Sequence, residues 1–327
     1  MEEEKLNILF LAPHLSTGGM PAFLLKRLEA LSKYTNVNLF VLEWCDYSHS
    51  FIVQKSKIKD LVGDNFFNFG SLYNLNEGIH GKKENFINFL YEKNIDLIHI
   101  EEIPEGFDSF NPFNREILKD LYDKKHPWKI IETCHNMYFN PDKDKIYEPD
   151  GYACVSNHHI KETFKNRKAL KSLITYPIDP SIKFKGSRES VLDDLGFIHK
   201  GEFHIINIGL WTSGKNQKYA IEIARALFEK YGFTYIFHFL GNQAPNFKDY
   251  WEPLMENLPP NVNVWGERND VDKFLKIPLE NNIEIDKNNL INGIFSPIKY
   301  KLDKKENTLL NFAVNHLEFY KKVLEHE

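Results

Sequence analysis

No apolar run in this 327-residue sequence approaches the roughly 20 residues that a membrane-spanning helix needs. A membrane-embedded helical protein is therefore not expected. Cysteine is scarce: Cys45, Cys134 and Cys154 are odd in number, widely spaced and set beside strand-like runs. They offer no disulfide framework, so the expectation is buried free thiols in a reducing compartment, the cytoplasm. Positive charge is not in surplus either, with 41 Lys and Arg against 46 Asp and Glu and a net charge of -5. General attraction to nucleic acid or to anionic lipid is absent, and nucleic acid is not an expected partner. The opening Met1-Glu2-Glu3-Glu4-Lys5 is acidic where a secretory leader would be basic. Low-complexity tracts are missing as well.

What the chain has is material for packed interiors: 42% hydrophobic residues, with 26 Phe and 15 Tyr. That composition argues against disorder, and the length suits two domains better than one core. Two segments share one design. Ile8 to Ala12 is a buried apolar strand running through His14-Leu15-Ser16-Thr17-Gly18-Gly19 into a helix from about Pro21. Ile205 to Gly209 runs likewise through Trp211-Thr212-Ser213-Gly214-Lys215 into a helix containing Tyr219 to Leu227. A glycine turn that opens a helix aims free backbone N–H groups and the positive helix end at one spot, which suits an anion such as phosphate.

Short β runs alternate with helical stretches along the first half. Strands are expected at Leu6 to Ala12, Val37 to Leu42, Leu97 to Ile100, Lys129 to Thr133, Gly151 to Val155 and Leu173 to Thr175. Helices are expected at Ala22 to Ser32, Lys83 to Glu92, Asn114 to Tyr122 and Asn157 to Lys165. Such alternation predicts an α/β fold with parallel sheets and right-handed crossovers. Pro177-Ile178-Asp179-Pro180 and the charged stretch after it form a boundary, with a short helical run from Ser190 to Leu195. Further strands are expected at Tyr235 to Leu240 and Val262 to Trp265, then a short helix from Asn269 to Leu275. Leu310, Ala313, Val314, Leu317, Tyr320 and Leu324 fall at helical spacing in a closing amphipathic helix, Leu309 to Leu324.

The run Asn7-Ile-Leu-Phe-Leu-Ala-Pro-His-Leu-Ser-Thr-Gly-Gly-Met20 resembles the opening of glycosyltransferase family 4, retaining sugar-nucleotide enzymes of GT-B fold. Thr133-Cys134-His135-Asn136 is similar to that family's strand-end histidine, and Asp150 to Ser156 to its "cVS" strand. Ile174 to Pro180 resembles the interdomain "NGID" segment with Tyr176-Pro177 in place of Asn-Gly. Ile206 to Lys215 resembles the "vGRl...K" loop, and Val264 to Val271 the "flG...dv" turn that contains Arg268.

The resemblance implies two Rossmann-like domains facing a cleft: an acceptor-side domain at 1–180, a donor nucleotide domain at 181–308, and a helix at 309–327 packing back on the first. It implies donor binding by Gly18, Gly19, Gly209, Trp211, Gly214, Lys215 and Arg268, and a catalytic His135 that contacts the transferred sugar. Partners would be a nucleotide-sugar donor and a glycan or lipid-linked acceptor, with at most peripheral membrane contact. No metal or other cofactor is implied, since backbone N–H groups and cationic side chains would stabilise the leaving diphosphate.

Two departures stand out. Leu210 occupies the place of the arginine in the "GR...K" loop, so Lys215 alone remains of that clamp. An E-x7-E motif is not found after Leu275, and residues 276–327 are too few to complete a Rossmann-like half. The second domain is therefore expected to be incomplete, either by nature or through a segment lost near Lys276-Ile277.

Plainer readings compete at several positions. Gly18-Gly19 could be only a tight turn, His135 a satisfied core histidine, and Lys215 a solubilising charge. A cation at a helix start is disfavoured by the helix dipole unless an anion sits there too, which favours the diphosphate role for Lys215. Asn216 replaces the hydroxyl that a Walker loop uses for magnesium, which argues against an ATPase. Glu101-Glu102 is expected to cap or solvate a loop. The alternatives to sugar transfer are a non-catalytic relative that binds nucleotide or glycan, and another GT-B-type enzyme such as an epimerase or phosphorylase.

Overall fold

The structure is a computed structural model that describes residues 5–15, 18–44, 53–68, 79–107, 115–135, 139–177, 187–197, 201–268, 270–275 and 309–326. The chain divides into two compact units, 1–180 with 302–327 and 181–301.

Unit 1 runs β1 (Leu6–Ala12), α1 (Gly19–Tyr34), β2 (Val37–Glu43), α2 (Val53–Val62), β3 (Phe66–Asn68), α3 (Ile79–Glu92), β4 (Leu97–Glu101), α4 (Arg115–Leu121), β5 (Lys129–Thr133), α5 (Pro141–Asp144), β6 (Gly151–Cys154) and β7 (Leu170–Leu173). Its strands form one seven-stranded parallel sheet in the order β3-β2-β1-β4-β5-β6-β7. Side chains alternate across a strand, so Ile8, Phe10 and Leu97 enter one core while Leu9, Leu11, Ile98 and Ile100 enter another on the opposite face. Near-continuous apolar strands are what a parallel sheet covered on both faces requires.

Unit 2 runs α6 (Arg188–Asp194), β8 (Phe203–Ile208), α7 (Gln217–Tyr231), β9 (Tyr235–Leu240), α8 (Lys248–Met255), β10 (Val262–Gly266) and α9 (Val271–Phe274). The strands pair in parallel in the order β10-β9-β8. The stretch near Lys276-Ile277, where a lost segment was suspected, lies outside the described residues.

The closing helix α10 (Leu309–Glu325) belongs to unit 1. Its Phe312, Ala313, Phe319, Tyr320 and Val323 share the core of α1 and of one sheet face. Gly151 on β6 lies directly beneath it: a Cβ there would stand 2.8 Å from Phe319 Cζ and 3.0 Å from Val323 Cγ2. Overpacking such a contact costs about 1–3 kcal/mol. Gly151→Val is therefore expected to lower the melting temperature of the purified chain, and an unchanged melt would refute this account of helix docking.

Local corrections follow the same physics. The helix expected over Asn157 to Lys165 is present at 157–163, with its His159–Thr163 part π-helical and closed by Phe164 N–H donating to His159 C=O at 2.8 Å. The strand expected at Leu173 to Thr175 lies earlier, at Leu170–Leu173, where pairing with β6 sets its register. Cys134 and Cys154 are buried, and burial pushes the Cys154 thiol up to about 12. Cys45 lies outside the described residues.

Candidate functional site

In unit 1 the chain moves outward from β1 through β2 to β3, then returns to β4 on the other side of β1. Ligands bind parallel α/β sheets in the crevice outside the carboxyl ends at such a reversal. Three strand exits meet there: His14-Leu15 after β1, Glu101-Glu102 at the end of β4, and His135 just after β5.

Period-two alternation puts His99, Glu101 and Thr133 on the face covered by α1 and α10. Arg27 of α1 reaches them from a wholly buried position. Its Nε–H donates to His316 Nε2 at 2.7 Å, Nη1 donates to a Glu101 carboxylate oxygen, and Nη2 donates to Thr133 Oγ1 at 3.1 Å. Nη1 also lies 3.2 Å from His99 Nε2. The guanidinium stands 4.6 Å from the Phe23 ring centroid, a cation–π contact.

The tautomers follow from these partners. A carbonyl only accepts, so His316 Nδ1–H donates to Phe312 C=O at 2.7 Å, leaving Nε2 bare for Arg27. His99 Nδ1 lies 2.7 Å from the Tyr320 hydroxyl and Nε2 lies 2.7 Å from Thr133 Oγ1. Burial first, then the Arg27 charge, holds both imidazoles well below the usual histidine range. Both rings are therefore neutral, and Glu101 is the counterion of Arg27.

The second oxygen of Glu101 faces His135 Nε2 at 3.2 Å, while His135 Nδ1 lies 3.3 Å from the Tyr176 hydroxyl. A buried carboxylate that fixes one imidazole nitrogen and leaves the other toward an exposed hydroxyl is the arrangement that orients a proton-transfer group. Phe23 completes the wall, with its ring centroid 4.2 Å from that of Tyr176. A Cβ on Gly19 would stand 3.9 Å from the Tyr176 hydroxyl, which brings the start of α1 to the same place. Gly18 and Gly19 are exposed, and Gly18 supplies no side chain to cap the helix.

Glu101 and Glu102 correct the expectation that they cap or solvate a loop, since both are buried. Glu102 also has φ at 91°, a region that a side chain with a Cβ seldom occupies. On the opposite sheet face a second buried cluster ties the 139–150 stretch down: Lys145 Nζ donates to Glu132 and Glu105, each at 2.8 Å, and burial pushes the Glu132 carboxyl up to about 7.

In unit 2 the strands end on glycines: Gly209 after β8, Gly241 after β9 and Gly266 closing β10. A Cβ at Gly241 would sit 1.9 Å from the Gly209 carbonyl oxygen, so only glycine fits. The aliphatic stem of Lys215 lies beside Gly209, with Cγ 3.6 Å from the place of a Gly209 Cβ. Lys215 and Gly214 are exposed in the turn before α7, and the Lys215 ammonium has no acidic partner among the described residues. Gln217, wholly buried, fixes the turn by donating from Nε2 to Leu210 C=O at 2.9 Å.

Two expected donor residues are otherwise engaged. Trp211 is wholly buried against Phe237 and Phe239, so its ring has no surface for a ligand. Its indole fills the core beneath the turn, which corrects its assignment to donor binding. Arg268 forms a bidentate pair with Asp270 at 2.7 and 2.8 Å and stacks over Trp265 and Phe274. That geometry stiffens the turn before α9. Among the described residues no group of three His, Cys, Asp or Glu side chains could hold a metal ion, and no helix is long and apolar enough to cross a membrane.

The sequence matches no family model, and no curated protein matches it. Solved structures do resemble it in fold. A glycosyltransferase from Rickettsia africae aligns with a TM-score of 0.57 at 16% identity, over 84% of this chain and 72% of that one. Anabaena HepE, in complex with UDP and glucose, aligns at 0.60 with 14% identity over the same shares, 84% and 72%. Sucrose-phosphate synthase from Thermosynechococcus elongatus aligns at 0.53 with 13% identity, over 84% of this chain and 73% of that one. At these identities the likeness is one of architecture: the chain has the α/β fold of GT-B glycosyltransferases.

Proposed function

We propose that the chain is a glycosyltransferase of the retaining, family 4 type, moving a sugar from a nucleotide-sugar donor to a hydroxyl of a glycan or lipid-linked acceptor. The observation that carries this reading is the exposed Lys215 over Gly209 at the approach to α7, a cation with no acidic partner among the described residues. Departure of a nucleoside diphosphate develops negative charge on its phosphates, and a cation with helix-start N–H groups stabilises that charge without a metal. In this reading Gly209, Gly214 and Lys215 hold the diphosphate, while Gly18, Gly19, His135 and Tyr176 receive the sugar and the acceptor. The buried Cys154 thiol, outside any disulfide, fits a cytoplasmic setting.

Thermal unfolding against UDP, GDP, ADP and their sugar conjugates tests the donor site. A ligand at about 100 times its dissociation constant stabilises a protein by roughly 2.7 kcal/mol. One nucleotide is expected to raise the melting temperature, and Lys215→Ala to remove the rise. If no nucleotide shifts the wild-type chain, the donor assignment is wrong. Leu210, 38% exposed where the family resemblance places an arginine, favours as second reading a nucleotide binder without turnover. Release of nucleoside diphosphate from the stabilising sugar conjugate decides against that reading.

A further inference from the structure

Glu102 is a buried side chain of unit 1 with an orphaned carboxyl oxygen. It is 6% exposed, and among the described residues its Oε2 has no hydrogen-bond partner. The backbone N–H groups of His135 and Ile103 interact with the carboxyl group, and its own N–H donates to Thr133 C=O at 2.7 Å. The carboxyl is thus held in one place with one oxygen left over. Burial pushes it above the usual carboxylate range, with the His135 imidazole pulling the other way and Glu101 adding to the rise. Leaving a buried acceptor unsatisfied is costly, and so is holding a residue other than glycine at φ of 91°. Such costs persist where a ligand supplies the missing partner.

The surroundings say which ligand chemistry fits. The Arg27 charge is already paired with Glu101, His99 and His316 are neutral, and the His135 imidazole is itself paired with Glu101, so among the described residues no unpaired cation is left to balance a bound phosphate beside two carboxyls. Metal-ligand clusters are absent among the described residues. What remains is an acceptor at Glu102 Oε2, donors at the uncapped start of α1, the amphoteric Tyr176 hydroxyl, and the Tyr176 ring, 44% exposed, as an apolar surface. Glu102 lies close enough to Tyr176 to act on its hydroxyl electrostatically, and donors and acceptors beside an aromatic face match the hydroxyl edges and C–H face of a pyranose.

We infer that Glu102 is the substrate-binding carboxyl of unit 1, its Oε2 accepting a hydrogen bond from a hydroxyl of a neutral sugar. This assignment rests on the glycosyltransferase reading for the reaction that follows but not for the binding itself. Glu102 would fix the sugar beside His135 and Tyr176, and the hydroxyl satisfies the orphaned oxygen.

The test uses the full chain and the methyl α- and β-glycosides of glucose, galactose, mannose and N-acetylglucosamine as probes, read by saturation-transfer NMR. At least one glycoside is expected to take saturation from the wild type, with affinity falling tenfold or more in Glu102→Gln. Lack of saturation in the wild type for every probe, or equal binding by the variant, overturns the inference. Melting of the same variant separates binding from packing. Glu102→Gln is expected to melt no lower than wild type at pH 8, because it removes a desolvated charge at constant shape. A lower melt assigns Glu102 to packing and overturns the inference too. The nucleotide-induced shift is read on both proteins: glycoside binding without any nucleotide shift refutes only the donor site, and the reverse pattern refutes only Glu102.

Discussion

Arg27→Met is expected to cost about 3–5 kcal/mol, the usual penalty for removing one member of a buried ion pair and leaving the other without compensation. The side chain it removes is wholly buried and meets four others: His316, Glu101, His99 and Thr133. Met matches much of the volume, so the loss is one of polar partners more than of packing. Among the described residues Glu101 would keep only His135 as a partner for its charge, and His316 would lose the donor that satisfies Nε2. A loss of that size is a large share of the 5–15 kcal/mol that holds a typical domain together. Urea unfolding of wild type, Arg27→Met, Glu101→Gln and the double variant measures it. The double variant is expected to be more stable than Arg27→Met alone, since it no longer buries an unpaired carboxylate. Equal or additive destabilisation would show that the pair contributes independently and that the network described here does not exist as a unit.

Arg27 also shows how much of the site was legible beforehand. Phe23, Leu24, Leu28 and Leu31 mark the buried stripe of α1 by spacing, and Arg27 lies four residues after Phe23 within it. A charge inside an apolar stripe is a signal that sequence alone carries. The strands β1, β5 and β9 coincide with the expected Leu6 to Ala12, Lys129 to Thr133 and Tyr235 to Leu240, because an apolar run buried on both faces admits little else. The short strand β3 and the helices α2 and α8 were not foreseen, since their patterns are brief and mixed in polarity.

Glu102 could not have been read as it stands. Its two defining properties, positive φ and an orphaned oxygen, arise from contacts with β5 some thirty residues later in the chain. Trp211 misled in the opposite direction. A tryptophan inside a glycine turn suggests a stacking surface, but the turn folds its ring inward over Phe239 at a centroid distance of 5.4 Å. Nothing local in the sequence distinguishes the two outcomes.

Acid is expected to destabilise unit 2 through His238, by about 3 kcal/mol between pH 6.5 and 4. His238 is wholly buried, and Trp265 Nε1–H donates to its Nδ1 at 3.0 Å. An indole nitrogen only donates, so Nδ1 is bare and the proton is on Nε2, which faces His204 Nδ1 at 2.8 Å. Protonating Nδ1 would set two N–H groups against each other next to a second imidazole, with no acidic partner for the new charge among the described residues. Burial, then His204, lowers the His238 pKa to about 3. The sign follows. Below pH 6.5 the unfolded chain binds a proton that the folded unit refuses, so stability falls by about 1.4 kcal/mol per pH unit until the folded pKa is reached. Asp270, held below its usual range by Arg268, loses its contribution only below pH 4, outside this window. Amide hydrogen exchange of the β8 and β9 peptides, followed from pH 7 to 4 and corrected for the intrinsic rate, reads the opening free energy of unit 2 by itself. His238→Gln keeps an acceptor for Trp265 and a donor for His204 but cannot take the proton. Its protection is expected to stay flat over that range while the wild type loses more than tenfold, and parallel losses in the two proteins would clear His238 of the effect.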